Sequence, residues 1–412
     1  MEGKKSRLGV IADDFTGASD AASFLVKGGA ETIMFNEVPK SLDAECDAVV
    51  IALKTRSAEP SSAINQTKNA VEFLKRIGCE RIYFKYCSTF DSTPRGNIGI
   101  VADFLMETLG VDYTLLCPAL PINGRTVKDG ILYVDGIPLS ESPLKDHPLN
   151  PMWDSYIPTL MKDQSKYPCF VLTREALSQG NMPDTGKEQH YYLVPDYETD
   201  ADGRKIAERF KHLPLLSGGS GLLEFLVEPK LHSKTHHAMK QTRTILLCGS
   251  CSSATRKQIQ TYQKHQGLCY KVDADQLLKG DCSALQIMDF ITCQTRPVLV
   301  YSDAVEKDMQ TLKQKTTFKQ ASAAIEQLMA DLSELALQKG FNRIVVGGGE
   351  TSGAITQRLG FEGFYIGTSI DPGVPELFPL KHQELTLILK SGNFGSEDFF
   401  VKASGGCKDD IE

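Results

Sequence analysis

Residues 8–22 read LGVIADDFTGASDAA. The apolar run 8–12 has the length and content of a buried strand. It leads into a loop carrying three carboxylates in eight residues, Asp13, Asp14 and Asp20, around Gly17. Strand, loop, then a run of small residues is the opening of a βα unit. Ligands in open α/β sheets bind at the carboxyl ends of strands, so this loop bears on function as well as fold. Capping of a helix accounts for one of its carboxylates but not for three. Two adjacent carboxylates beside a glycine turn suit acceptance of a hydroxyl proton or a hold on Mg²⁺.

Outward from this unit the same alternation continues. Strands are expected at 31–35, 48–53, 81–87, 113–117, 170–172 and 191–194, helices at 63–76 and 98–108, and a glycine-punctuated hairpin at 130–139. Periodicity and apolar content lapse at 227–241 (VEPKLHSKTHHAMKQ). A second series follows: strands at 244–247, 297–301, 343–346 and 385–389, with helices near 253–265 and 318–339. The reading is α/β, with two domains, each a mostly parallel sheet flanked by helices. The boundaries are 1–230 and 243–402, with a linker at about 231–242 and a loose tail at 403–412. A chain of 412 residues suits two domains of about 200 each.

The net charge of −7 speaks against a nucleic-acid partner, which is met by an excess of Lys and Arg. No apolar run reaches the length of a secretory signal core or a membrane span, so a cytoplasmic protein with no membrane partner is expected. Eleven cysteines, an odd number lying mostly on or beside apolar strands, read as buried reduced thiols. The one CxxC, Cys248 to Cys251, sits in a strand-loop context better suited to phosphate than to redox or zinc chemistry, and His232, His236 and His237 read as a solvated linker.

Other strand-end loops carry chemistry too. Residues 85–97 (KYCSTFDSTPRGN) bring Lys85 and Arg95 as cations, the hydroxyls of Ser88, Thr89, Ser92 and Thr93, Asp91, and Asn97 after Gly96. That set suits a carboxylate-bearing polyol. Residues 123–126 (NGRT, with Arg125) and 54–56 (KTR) are weaker members of it, and 217–221 (SGGSG) follows a short apolar run. In the second series, 345–353 (VVGGGETSG) is a strand, a glycine run and a helix start, where backbone N–H groups and the helix dipole bind phosphate. Residues 249–253 (GSCSS) and 391–395 (SGNFG) resemble it. Three Gly/Ser loops at strand ends point to a nucleotide. No GxxxxGK[ST], dinucleotide fingerprint, GxSxG or HExxH occurs, so a dehydrogenase on the same architecture has little support.

In order, these loops resemble the four-carbon acid sugar kinase family: VIADDFTGASDAA (10–22) at one end, then GGGETSGAITQRLG (347–360), IGTSIDPGVP (366–375) and LKSGNFG (389–395) at the other. The similarity runs from about residue 8 to 400. Residues 84–99 (FKYCSTFDSTPRGNIG) and 117–136 (CPALPINGRTVKDGILYVDG) look like the 3-oxo-tetronate branch, whose members phosphorylate the terminal 4-hydroxyl. The resemblance implies an N-terminal sugar-acid domain, a C-terminal ATP domain and an active site in the inter-domain cleft, with ATP and Mg²⁺ as cofactors. It also implies a set of contacts. ATP would touch Ser250 or Ser252, Gly348, Gly349, Glu350, Thr351, Gly392, Asn393 and Gly395, with Glu350 also a candidate for Mg²⁺. Substrate would lie near Lys85, Arg95, Ser92, Asn97 and Arg125. Asp14, then Asp13, then Asp91 are the candidate catalytic bases. A threonate or erythronate kinase of the same family stays open, as does a non-catalytic sugar-acid sensor, which would have no reason to keep three glycine loops. Oligomeric state is not readable from the sequence, and a homo-oligomer stays open.

Overall fold

The computed structural model describes residues 7–90, 93–146, 151–228, 242–250, 252–302, 315–392 and 394–405. The chain divides into two compact units, Met1–Lys234 and Thr235–Glu412.

In the first unit, strands β1 (Arg7–Ala12), β2 (Thr32–Phe35), β3 (Ala48–Ala52), β4 (Cys79–Lys85) and β11 (Leu215–Gly218) form a parallel sheet in the order β11-β4-β1-β3-β2. Helices α1 (Phe15–Lys27), α2 (Pro60–Arg76) and α3 (Ile98–Leu109) cover it. The middle strand β1 is almost wholly buried, as a strand covered on both faces must be. Close packing sets its composition: a methyl on Gly9 would stand 2.9 Å from Leu74 of α2. On α1, Gly17, Ala18, Ser19, Ala21 and Ala22 are buried together, and their small size lets the helix lie close to β1, β2 and β3.

Two small sheets complete the unit. Strands β5 (Tyr113–Leu115), β9 (Cys169–Leu172) and β10 (Tyr191–Pro195) are parallel, and β6 (Arg125–Lys128), β7 (Ile131–Val134) and β8 (Ile137–Pro138) are antiparallel. The β7–β8 turn places Asp135 and Gly136 at φ 51° and 79°, the left-handed pair that a two-residue hairpin demands. The expected hairpin is therefore present. Strand β4 starts two residues earlier than the apolar run suggests and stops at Lys85, where the chain turns into its loop. Shorter helices α4 (Ile157–Lys162), α5 (Arg174–Gln179) and α6 (Asp200–Phe210) lie between β8 and β11.

The second unit holds β12 (Thr244–Cys248), β13 (Leu268–Val272), β14 (Val298–Ser302), β15 (Arg343–Gly347), β16 (Gly363–Asp371), β17 (Val374–Pro379) and β18 (Thr386–Lys390). Their order is β16-β17-β18-β15-β12-β14-β13. The five strands from β18 to β13 are parallel, and β16 and β17 join antiparallel. Helices α7 (Ser253–Lys264), α8 (Ala274–Lys279), α9 (Ala284–Thr292), α10 (Lys315–Gln338), α11 (Gly349–Leu359) and α12 (Phe399–Ala403) accompany them. Residues 366–375, notable in the sequence only as a motif, form the β16–β17 hairpin, turning at Gly373 with φ 78°. Buried Arg343 pairs with buried Glu376 at 2.7 Å and donates through Nε to the Ala403 carbonyl. This ties β15 to β17 and to the end of α12. Among the described residues no helix is long and apolar enough to cross a membrane.

Candidate active site

Strands β11, β4, β1 and β3 lie side by side and run the same way, so the loops after them are neighbours. The register sets Ala12 beside Ala52 and Lys85, and Lys85 beside Gly218. Residues 13–17, 53–56, 86–90, 93–97 and 219–221 thus follow neighbouring strand ends on one side of the sheet.

Arg56 organises the gathering. Its Nε donates to Asp13 Oδ2 at 2.9 Å and its Nη2 to Asp13 Oδ1 at 2.8 Å, a bidentate pair, while Nη1 lies 2.8 Å from Asp14 Oδ2. Asp13 is 4% exposed. Burial pushes its carboxyl above the usual range, and the guanidinium opposes that. Asp14 caps α1: its Oδ1 accepts from Gly17 N at 2.7 Å, and its Oδ2 also accepts from Thr16 Oγ1 at 3.2 Å. Capping and the ion pair fill three of a carboxylate's four lone-pair sites and leave one on Oδ1. Asp14 is the more accessible of the two acids, with 29% of its side chain exposed against 5% for Asp13.

Deeper in, Lys85 Nζ donates to the Tyr86 carbonyl at 2.9 Å and stands 3.7 Å from Asp20 Oδ2, which also accepts from Ser220 Oγ. Burial raises the Asp20 carboxyl, against the pull of Lys85. Asp20 Oδ1 has no hydrogen-bond partner among the described residues. Ser220 arrives because the 218–221 glycines let its loop lie against residues 117–119: a methyl on Gly221 would stand 2.6 Å from the Ala119 carbonyl. Asn97, at the N-cap of α3, donates to the Thr55 and Ala58 carbonyls at 2.6 and 2.8 Å and so fixes the loop that carries Arg56.

Gly17 stands where the two halves meet. A methyl there would lie 2.5 Å from Asp14 Oδ1 and 3.3 Å from Lys85 Nζ. Gly17→Ala should therefore displace the Asp14 carboxylate. The lost cap, worth about 1 kcal/mol, is offset by alanine's helix preference of about 1 kcal/mol. Turnover should fall about 10²-fold, the penalty of misplacing a reacting group by an ångström, while the urea midpoint hardly moves. Parallel kinetics and urea melts check this, and unchanged turnover would show that Asp14 and Lys85 need not face each other there.

Of the residues expected to bind substrate, Lys85 and Asn97 join this cluster. Arg95 is exposed on the 93–96 turn and makes no ion pair among the described residues. Arg125 begins β6, where its Nη1 donates to the Asn123 carbonyl, and no described contact takes it to the acids. Asp91 and Ser92 lie outside the described residues.

In the second unit β18, β15 and β12 are adjacent and parallel, with Lys390, Gly347 and Cys248 in one row. The three Gly/Ser loops therefore emerge side by side. Gly348 adopts φ 125°, which an L side chain rarely takes, and its N–H donates to the Lys390 carbonyl at 2.8 Å. A methyl on it would come within 3.1 Å of Ser250 and of Thr351 Oγ1. Helix α11 starts at once, without a side-chain cap, so its first N–H groups are left for a ligand. Gly349 and Glu350 are exposed in that first turn, and Thr351 is buried.

Ser252 caps α7 and donates through Oγ to the Gly392 carbonyl at 2.6 Å. Thr255 Oγ1 contacts that carbonyl at 2.9 Å and Ser250 Oγ at 3.2 Å. A methyl on Gly392 would stand 2.8 Å from Ser250 Oγ. Gly395, at φ 84°, lies farther along the same loop. The neighbouring carbonyls of Phe394, Gly395 and Ser396 accept from Gln258, and Ser396 donates to Asp371. The structure thus brings Ser250, Ser252, Gly348, Thr351 and Gly392 together. Asn393 and Cys251 lie outside the described residues, as do His232, His236 and His237. None of the nine described cysteines is in a disulfide; Cys79, Cys117 and Cys248 are buried, whereas Cys293 is exposed.

Thr255 and Lys390 gained no role from the sequence alone; Arg56 stood only as a weaker member of the substrate set, and Asp20 and Ser220 only as members of loaded loops. A signal existed for some of them: Arg56 follows a strand end by four residues, and Asp20 is a carboxylate among small residues on the buried face of α1.

Residues 8–226 match the family described as the sugar-binding N-terminal domain, and residues 245–400 the nucleotide-binding C-terminal domain. A 3-oxo-tetronate kinase of Salmonella typhimurium is 40% identical, with 96% of this chain and 98% of the relative covered. The 3-oxo-tetronate kinase of Escherichia coli K12 is 39% identical over 89% and 98%. Among solved structures, a Salmonella typhimurium LT2 protein described as a tRNA synthase superposes with a TM-score of 0.85 at 39% identity, covering 97% of this chain and 99% of that one. A Haemophilus influenzae protein gives 0.80 at 38%, with the same coverage. The paired domains and the full-length relatives place this chain in the four-carbon acid sugar kinase family.

Proposed function

We propose that this chain transfers the γ-phosphate of ATP to the terminal 4-hydroxyl of 3-oxo-tetronate. The observation that carries the reading is the full-length similarity to proteins named 3-oxo-tetronate kinase. The geometry agrees: three Gly/Ser loops stand side by side in the nucleotide-binding domain, and acids cluster with half-buried Arg56 and buried Lys85 in the sugar-binding domain. A net charge of −7 gives no footing to a tRNA substrate.

Phosphoryl transfer asks for positioning and for charge stabilisation. Asp14 accepts the proton of the 4-hydroxyl as its oxygen bonds to the γ-phosphorus and the bond from phosphorus to the departing ADP oxygen breaks. Arg56 holds Asp14 in place, and Asp13 balances Arg56. Lys85 lies beside Asp14 across Gly17 and directs the reacting end of the substrate. Exposed Arg95 is left to meet the substrate carboxylate. On the nucleotide side, the first turn of α11 and the hydroxyls of Ser250 and Thr351 hold phosphate oxygens. Mg²⁺ keeps waters and phosphate oxygens and takes only one or two carboxylates; Glu350, exposed in the first turn of α11, would be such a ligand, and the ion would neutralise phosphate charge.

The site of phosphorylation is open to a direct test. With 3-oxo-tetronate and MgATP, the proton-coupled phosphorus spectrum of the product should show a triplet, because a 4-phosphate is borne on a CH₂. A doublet would move the phosphate to the 2-hydroxyl and overturn the assignment.

A further inference from the structure

Among the described residues, Lys85 and Lys390 are buried lysines, each the last residue of a strand, and their surroundings differ. Lys85 has Asp20 at 3.7 Å. Lys390 has no carboxylate within ion-pair distance among the described residues. Its Nζ donates to Thr255 Oγ1 at 3.2 Å and to the Ser391 and Gly392 carbonyls at 3.0 and 3.1 Å, and it stands 5.8 Å from the centre of the Phe399 ring. The residue is 0% exposed. β12 contributes Cys248, α7 Thr255, α12 Phe399, and the following turn its carbonyls, so among the described residues the titratable group felt by Lys390 is the Cys248 thiol.

A buried ammonium is costly to keep charged unless it is both hydrogen-bonded and neutralised. Here the hydrogen bonds are present and the counter-charge is missing. The same ammonium binds the turn after β18 to the cap of α7: the Gly392 carbonyl accepts from Lys390, Ser252 and Thr255 together. Those turns flank Gly348 and the open first turn of α11.

We infer that Lys390 is a positioning residue of the nucleotide site, holding Ser250, Ser252, Thr255 and the 391–392 turn in their phosphate-binding form, and that the counter-anion its ammonium calls for is the bound polyphosphate. The inference rests on the nucleotide reading above and deepens it. Lys390 need not touch a phosphate oxygen; the loops it holds present the donors, and its charge favours an anion bound to them.

The inference has a signature in proton linkage. Burial lowers Lys390 to about 8 in the free protein. A neighbouring polyphosphate favours the charged form and raises that value. Binding must then take up a proton near pH 8.5, where the nucleotide itself is fully ionised. MgATP affinity is fully expressed below pH 8 and declines above it, about tenfold between pH 7 and 9.

Calorimetry of MgATP binding in buffers of different ionisation enthalpy, at pH 7 and 8.5 without the acid substrate, tests this. Proton uptake is expected at pH 8.5 in the wild type and not in Lys390→Met, whose affinity at pH 7 should be about ten- to a hundredfold weaker, as loss of charge-assisted bonds implies. Lys390→Arg keeps the charge and should recover much of the affinity without uptake at pH 8.5. Binding by the wild type with no proton linkage overturns the inference whether or not the variants fold, as does unchanged affinity in Lys390→Met. If the wild type binds no MgATP at all, it is the kinase reading that fails.

Discussion

Asp14→Asn is expected to lower turnover at least 10²-fold and to leave substrate binding almost unchanged. The amide keeps the shape and the capping oxygen, so Gly17 N still has its acceptor. Arg56 still has Asp13, bidentately. What disappears is the site able to take a proton, and general-base help is worth about 10²–10⁴-fold. Steady-state kinetics on the acid substrate separates the two effects: kcat should fall and KM should hold. A loss below about tenfold, outside that range, would remove Asp14 from the role and return attention to Asp20, whose Oδ1 lacks a partner.

Arg56→Ala should be the most damaging single change to the sugar-binding domain. It strips Asp13 of both charged contacts at 4% exposure and releases Asp14 as well. Breaking a buried ion pair by removing one partner costs about 3–5 kcal/mol, and the lower figure fits here because Arg56 is 23% exposed. The loss should depend on pH in a definite direction. The Asp13 carboxyl is already raised in the folded protein by burial, and removing the guanidinium raises it further. A raised acid binds more protons folded than unfolded, so stability falls as pH rises from the usual carboxylate range through the folded value. The deficit of Arg56→Ala should therefore be larger at pH 8 than at pH 5.5, measured by urea unfolding at both. An equal deficit at the two values would mean that lost packing, not the uncompensated carboxylate, sets the cost.

Much of this architecture was legible in the residues. The apolar runs before Asp13, Gly249, Gly348 and Ser391 marked strands whose ends carry the site. The two-domain α/β plan followed from their alternation, and the kinase family from the loops in order. Pairing across the sheet was not legible. That Arg56 would reach both Asp13 and Asp14 depends on β3 lying next to β1, and that Ser220 would reach Asp20 depends on a loop two hundred residues away. Lys390 stood only inside the LKSGNFG motif, one residue past the strand expected at 385–389, because a sequence shows a charge but not what surrounds it. The capping role of Asp14 was visible as an alternative to a catalytic one, and the structure shows that capping and the pair with Arg56 occupy most of the carboxylate without exhausting it.

The central claim is a reaction, and ADP release from MgATP tests it most directly when measured with both enantiomers of 3-oxo-tetronate, with threonate and with erythronate. Turnover confined to the oxo acids is the expected result. Release with threonate or erythronate instead would contradict the assigned substrate while keeping the kinase, and release with none of the acids would contradict the kinase itself.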